Sequence, residues 1–313
     1  VRHVIEHKNS VKISAVINTK NSAETLRRCL SSLMFVDQIV VVDMESTDNT
    51  LEIAKDFSAD IFPHKDVQYV EPARNFAVSK AKGEWVLVID ADEEVPPQLA
   101  QKILAIVEDK NSETFAYFLP RKNIIFDRWI EKTGWWPDYQ LRLFRRGAVQ
   151  WEDTIHAAPQ VSGRCEELAA KEEWAIRHHH YQTIEQYIER LNRYSTIELT
   201  SGSVASFSTS PAKTIKTFWD EFFRRCFAEK GIEEGMHGLS LSYLQSFYQL
   251  SVVLKSWQQH GFKTTDPQNV PRDIIAGLRS SQRDLNYWIA DWQVQHTNGL
   301  MKLWWQLRRR LKR

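Results

Sequence analysis

The sequence predicts an α/β fold: a mostly parallel central sheet flanked by helices, with a helical extension at the C-terminus. Three observations predict it. Short β-branched runs alternate with helix-spaced segments over residues 12–110. Each of three such runs ends in a polar cluster. From about residue 182 the apolar spacing becomes helical.

The elements follow in order. Ile13–Ile17 is an apolar run ending in Asn18-Thr19-Lys20-Asn21, and Ala23–Met34 carries Leu26, Leu30 and Leu33 at helical spacing. Gln38–Val42 is a second strand, closed by Asp43. Ser46-Thr47-Asp48 then offers cap chemistry to a helix over Leu51–Phe57. Asp60–Pro63 reads as a short strand, Ala73–Ala81 as a helix, Trp85–Ile89 as a strand, and Pro96–Glu108 as a helix with Pro in its first turn. Near-continuous apolar strands between helices argue for a parallel sheet covered on both faces. Phe115–Pro120, Leu141–Phe144 and Ala148–Trp151 then read as strands of mixed direction that complete the sheet. Helices are expected over Ile184–Thr200, Lys213–Lys230 and Leu239–Trp257, with hinges at 201–211 and 261–271. This gives a sheet domain over 1–200 and a helical region over 201–313.

Composition excludes little. Net charge is +1 over 313 residues, which leaves no basic footprint for nucleic acid. Residues 301–313 nevertheless carry six Lys/Arg and no acid. Cys29, Cys165 and Cys226 are odd in number and far apart, as expected of reduced thiols serving as small core residues. No apolar run reaches the roughly 18 residues of a membrane span, and the first residues do not read as a signal peptide. A cytoplasmic location is expected.

In parallel sheets ligands bind at the carboxyl ends of the strands. Those ends carry Asn18–Asn21, Asp43–Asp48 and Asp90–Glu94. The last cluster raises the sharpest question, because a buried strand runs into four acids. Asp90 and Asp92, on an extended segment, would point the same way about 7 Å apart. Partly desolvated carboxylates repel unless a cation bridges them. Oxygen ligands suit Mn²⁺ or Mg²⁺, completed by substrate phosphates. The plainer alternative is a pair of solvated loop acids.

The stretches VINTKN (16–21), VVVDMESTDNT (40–50) and ARNFAVSKAKGEWVLVIDADEEV (73–95) together resemble family 2 glycosyltransferases of the GT-A fold. GWWPDYQLRLFRR (134–146), HHYQTIEQYIERLNRYS (179–195) and FRRCFAEKGIEEGMHG (223–238) extend the likeness to bacterial lipopolysaccharide-core β-1,4-glucosyltransferases. The resemblance implies an inverting, metal-dependent hexosyltransferase that uses a nucleoside-diphosphate sugar. Thr19, Asn21, Asp43 and Ser46 would line the nucleotide pocket, with Asp43 matching a uracil-binding position. Arg74 would approach the base or the diphosphate; otherwise it is a surface residue paired with Glu71. Asp90 would contact ribose or metal, and Asp92 would ligate the metal. Gln140 is the implied third ligand and His156 its rival.

A general base must take the acceptor's proton. The resembled subgroup shows His-Glu after a Trp-containing strand, but here Ala157 follows His156. Asp138, Glu152 and Asp153 remain as candidates. A lipid-phosphate acceptor would need no base. His178, His179 and His180 lack structural-zinc spacing; on the family pattern His180 approaches the metal or diphosphate, and otherwise they are loop histidines.

Leu300, Leu303, Trp304, Leu307 and Leu311 form an apolar stripe beside Arg308–Arg310, Lys312 and Arg313. A basic amphipathic helix with Trp reads as an interfacial helix on anionic lipid, which suits a glycan or lipid-linked acceptor and peripheral attachment. Packing on the domain or on a second subunit is the alternative. Two other functions stay open. A nucleotidyltransferase would want a Gly-rich first loop, and INTKNSAET has no Gly. A membrane-docked scaffold with a degenerate site is the non-catalytic reading.

Overall fold

The structure is a computed structural model that describes residues 11–66, 71–151, 159–200, 210–263 and 266–310. The strands are β1 (Ile13–Thr19), β2 (Gln38–Asp43), β3 (Asp60–Pro63), β4 (Trp85–Val88), β5 (Glu93–Glu94), β6 (Thr114–Ile125), β7 (Arg128–Trp129), β8 (Asp138–Arg145), β9 (Val149–Gln150), β10 (Gln160–Val161), β11 (Arg164–Glu167) and β12 (Ile176–Tyr181). The helices are α1 (Ala23–Ser31), α2 (Thr50–Asp56), α3 (Glu71–Ser79), α4 (Pro97–Glu108), α5 (Ile184–Thr200), α6 (Pro211–Phe223), α7 (Met236–Gln259), α8 (Val270–His296) and α9 (Gly299–Arg310).

The chain divides into two compact units, 1–124 with 137–180, and 125–136 with 181–313. This division groups α5 with the C-terminal helices, whereas the sequence reading draws its boundary at residue 200.

In the first unit the sheet runs β3-β2-β1-β4-β8-β6-β12-β5. β3, β2, β1 and β4 are parallel, and β8 joins β4 antiparallel. The α/β class is as expected, and β6 and β8 complete the sheet in mixed direction, but the strand expected at Ala148–Trp151 is β9, which pairs with β10 in a separate two-stranded sheet. Both faces of the parallel strands are buried. Ile13, Ile17 and Leu87 pack with Leu26 and Leu30 of α1 and Leu99 and Ile103 of α4. Val16, Val40, Val42 and Val86 pack the other way, with Ala77 of α3. That is why these strands read as unbroken apolar runs.

Gly83 explains its own place before β4. A Cβ there would stand 2.6 Å from the Ser14 backbone nitrogen and 2.8 Å from the Trp85 carbonyl. Its N–H donates to Ser14 Oγ at 2.8 Å.

Several expectations are corrected. The Asp90–Asp92 segment is not extended: Glu93 N donates to the Asp90 carbonyl at 2.9 Å, so the chain turns. The three histidines lie on β12, not in a loop. Cys165 is exposed, while Cys29 and Cys226 are buried.

In the second unit, Ser210 caps α6 by accepting from Lys213 N, with Pro211 in the first turn. The helix expected over Lys213–Lys230 widens to a π turn at Arg224–Ala228, where Arg225 donates to the Thr133 carbonyl. α8 occupies residues for which the sequence reading gives no element; Gly277 packs on Ala212 there. No helix among the described residues is long and apolar enough to cross a membrane. The hinge residues 201–209 lie outside the described residues.

Candidate functional site

The loops after β1 and β2 are tied together where they leave the sheet. Asn21 sits at φ 48°, a left-handed conformation that Asn tolerates. Its N–H donates to Ser46 Oγ at 2.8 Å, and its Oδ1 accepts from Thr47 N at 2.8 Å. Ser46 N in turn donates to Asp43 Oδ2 at 3.1 Å. Asp48, expected as cap chemistry, accepts from Ala23 N and Thr50 N, so one carboxylate serves both α1 and α2. Two atoms stand apart from this mesh. Thr19 Oγ1 and Asp43 Oδ1 are buried and have no hydrogen-bond partner among the described residues. Buried polar atoms are normally satisfied, which makes these two atoms candidate ligand contacts.

The acids after β4 meet guanidinium groups. Arg142, on β8, is 3% exposed and donates to Asp90 Oδ2 and, at 2.6 Å, to Glu93 Oε1. Arg121, on β6, donates to the same Glu93 oxygen at 3.2 Å. Arg74, at the start of α3, donates to Asp90 Oδ1 at 3.4 Å, with its guanidinium 5.5 Å from the Trp151 ring. Glu93 Oε2 accepts from Asp90 N. Burial alone would raise the Asp90 pKa; Arg142 and then Arg74 overcome it and hold the carboxyl far below the usual range. Burial would lower the pKa of Arg142, but Asp90 and Glu93 raise it.

The cation facing Asp90 is therefore arginine, and its second acid is Glu93, not Asp92. The turn at Asp90–Glu93 swings Asp92 elsewhere. Asp92 Oδ2 stands 3.6 Å from His178 Nε2, and the Asp92 carbonyl accepts from His179 N at 3.0 Å. His178 Nδ1 lies 2.6 Å from Asn123 Oδ1, and the rings of His178 and His180 stack at 4.4 Å. His179 faces Glu94 at 3.6 Å.

Asp138 is enclosed by donors: Arg121 Nε at 3.0 Å and NH2 at 2.6 Å, Asn123 Nδ2 at 3.1 Å, and Gln140 Nε2 at 2.9 Å. Burial pushes its pKa up, but Arg121, Asn123 and Gln140 bring it below the ordinary value. That environment suits an anchor more than a base. Gln140 is thus joined to Asp138. Glu152, Asp153, His156 and Ala157 lie outside the described residues.

No group of three His, Cys, Asp or Glu side chains that could hold a metal occurs among the described residues. Mg²⁺ and Mn²⁺ sites built on substrate phosphates need only one or two protein ligands. Asp92 with His178 fits that demand. Asp90 does not, because both of its oxygens accept from guanidinium groups.

Sequence reasoning missed Arg142, Arg121, Asn123, Glu93 and the strand placement of His178. One signal was legible. Arg142 interrupts the apolar run LRLF of a central strand, and arginine is almost never buried unless paired.

A family model described as glycosyl transferase family 2 matches residues 14–162. An uncharacterized glycosyltransferase of Rickettsia felis is 31% identical over 195 residues, 59% of this chain and 68% of the relative. The chain belongs to glycosyl transferase family 2. It is a glycosyltransferase by class, and its topology is the GT-A arrangement that membership implies. The family 2 chain also resembles an uncharacterized glycosyltransferase of Rickettsia conorii, at 29% identity over 71% of this chain and 83% of the relative. The lipopolysaccharide core biosynthesis glycosyltransferase LpsC of Rhizobium meliloti is 22% identical over 80% of this chain and 94% of its own length. Among solved structures, S. aureus TarS 1-349 in complex with UDP-GlcNAc aligns at 15% identity and a TM-score of 0.42, covering 96% of this chain and 89% of that one.

Proposed function

We propose that this transferase moves a sugar, with inversion, from a UDP-linked donor to a glycan or lipid-linked acceptor of the cell envelope. The observation that carries the donor assignment is the pair of partnerless buried atoms, Thr19 Oγ1 and Asp43 Oδ1, on adjacent strand ends. A uracil offers an imide N–H that a carboxylate oxygen can accept. Arg74 supplies positive charge on the diphosphate side of the same edge. The envelope role is supported by the likeness to LpsC across most of the chain.

The mechanism is electrostatic. Asp92 and His178 would hold Mn²⁺ or Mg²⁺, which when bound neutralises charge on the leaving diphosphate. Arg142, Arg121 and Glu93 keep the Asp90–Asp92 turn in place, so no reorganisation is needed when that charge develops. Asp138 is an anchor. The base falls to Glu152 or Asp153, which follow Trp151, a residue whose backbone N–H and C=O both bond the Asn75 side chain.

We assign catalysis to the sheet unit and membrane contact to α9. That helix turns Leu300, Leu303, Trp304 and Leu307 outward, while Arg309 pairs with Asp291 of α8 at 2.6 Å. Arg308 and Arg310 stay exposed beside the stripe. Such a face suits peripheral attachment to anionic lipid on the cytoplasmic side.

The test is sugar release or transfer from a panel of UDP-, GDP- and dTDP-sugars with Mn²⁺. Turnover of a UDP-sugar, lost in the Glu152→Ala or the Asp153→Ala variant, is the expected result. Donor binding without any turnover would favour a non-catalytic scaffold.

A further inference from the structure

We propose that Asn75 and Trp151 are positioning residues that hold Arg74 ready for the donor diphosphate. The inference rests on the reading above that Arg74 meets that diphosphate, and goes beyond it by naming what sets the guanidinium in place.

Three consecutive residues at the start of α3 are tied to three different parts of the sheet unit. The Ala73 carbonyl accepts from Asn18 Nδ2, near the end of β1, at 3.1 Å. Arg74 donates to Asp90 Oδ1, past the end of β4, at 3.4 Å. Asn75 takes both backbone groups of Trp151, which follows β9. Its Nδ2 donates to the Trp151 carbonyl at 2.7 Å, and its Oδ1 accepts from the Trp151 N–H at 3.0 Å. Successive helical residues point about 100° apart, so one turn of α3 reaches all three.

Two bonds to the N–H and C=O of a single residue are what a neighbouring strand supplies in an antiparallel ladder. The Asn75 amide stands in for such a strand beside Trp151. It fixes that residue's backbone in both position and rotation, which demands a donor and an acceptor on one short side chain. The ring is held as well. Trp151 is 5% exposed, and its ring meets that of Phe144 edge-on, with centroids 5.5 Å apart.

The Arg74 guanidinium lies 5.5 Å from the centre of the Trp151 ring, within cation–π range. Its contact to Asp90, at 3.4 Å, is long. A long side chain that must be ordered on binding weakens affinity by the rotamer freedom it loses. Here the ring orders Arg74 before the donor arrives, and the Asn75 clasp orders the ring. The phosphate oxygens then meet a guanidinium already in place.

The test is a double-mutant cycle read by calorimetric titration of UDP, with Mn²⁺ present, into the full chain. The four proteins are wild type, Asn75→Leu, Arg74→Met and the double variant, and the melting temperature of each is recorded. Asn75 is only half-buried, so the Leu variant leaves the core intact. Asn75→Leu should weaken UDP about 3- to 10-fold when Arg74 is present, and by less than about twofold in the Arg74→Met background. A purely structural loss would weaken both backgrounds alike. Trp151→Leu, which removes the ring and leaves the backbone bonds to Asn75, should repeat the pattern at about 5- to 30-fold. Equal losses in the two backgrounds overturn the proposal, and so does UDP affinity in Asn75→Leu within about twofold of wild type. UDP binding that Arg74→Met leaves unchanged overturns the reading of Arg74 itself, and the proposal with it. UDP binding that falls with Arg74→Met but not with Asn75→Leu or Trp151→Leu overturns the proposal alone.

Discussion

Replacing Arg142 by Met tests the arginine cluster with a side chain of similar reach and no charge. Arg142 is 3% exposed, and one of its nitrogens serves both Asp90 and Glu93. After the change Glu93, whose side chain is 0% exposed, keeps Arg121 at 3.2 Å and the Asp90 N–H, and Asp90 keeps Arg74 at 3.4 Å. Removing one partner from a buried ion pair costs about 3–5 kcal/mol. The lower end applies here, because each acid retains a second guanidinium. With a urea dependence near 3 kcal/mol per molar, the midpoint falls by about 1 M. The pH dependence has a definite sign. The folded Asp90 pKa is depressed below 3.8, so its contribution is present above that value and is lost as pH falls beneath it. The deficit of the variant should be full at pH 7 and shrink below about pH 4. Because two compact units can unfold separately, hydrogen exchange of the β4 and β8 amides should accompany the urea titration. A midpoint within about 0.3 M of wild type, or a deficit that does not change between neutral pH and pH 3, refutes the reasoning.

Other outcomes follow from the same structure. Gly83→Ala should cost at least about 2 kcal/mol by denaturant titration, since the added carbon meets backbone atoms that cannot swing away. Arg74→Lys should weaken UDP binding about tenfold by calorimetry, because a point charge cannot both lie over Trp151 and reach Asp90 as the planar group does. Reversing Arg308 and Arg310 to Glu should weaken sedimentation with anionic vesicles at least about 30-fold, at roughly 1 kcal/mol per basic residue. Binding to neutral vesicles and the melting temperature should stay unchanged, since both side chains are exposed.

The parallel half of the sheet was legible because its strands are buried on both faces, so Ile13–Ile17 and Gln38–Val42 read as apolar runs. β12 was not, because Arg-His-His-His-Tyr carries no apolar alternation; its inward side chains are polar and find polar partners. β6 was read too short for the same reason: beyond Pro120 its Arg121 and Asn123 face Asp138 instead of a hydrophobic neighbour. α8 went unread although Leu285 and Trp288 pack on the Phe222–Phe223–Cys226 cluster, because its buried positions Gly277, Ser281 and Ala290 are small and break up the apolar spacing. At the site, Asn21, Asp43 and Ser46 lie at the carboxyl ends of β1 and β2, where strand-end reasoning puts them, whereas Arg74 comes from helix α3. The partner of Asp90 was not legible in that way. Spacing alone made Asp92 its neighbour, whereas one backbone hydrogen bond from Glu93 to Asp90 turned the chain and gave that place to Glu93. The arginines that answer the acids come from β6, β8 and α3, which the acidic motif by itself does not specify.

The most direct test of the account is calorimetric titration of UDP, with Mn²⁺ present, into wild type and Asp92→Asn. The wild type should bind, and the variant should bind at least about tenfold more weakly with an unchanged circular-dichroism spectrum. Absence of binding heat for UDP in folded wild-type protein, or equal affinity in the variant, would contradict it.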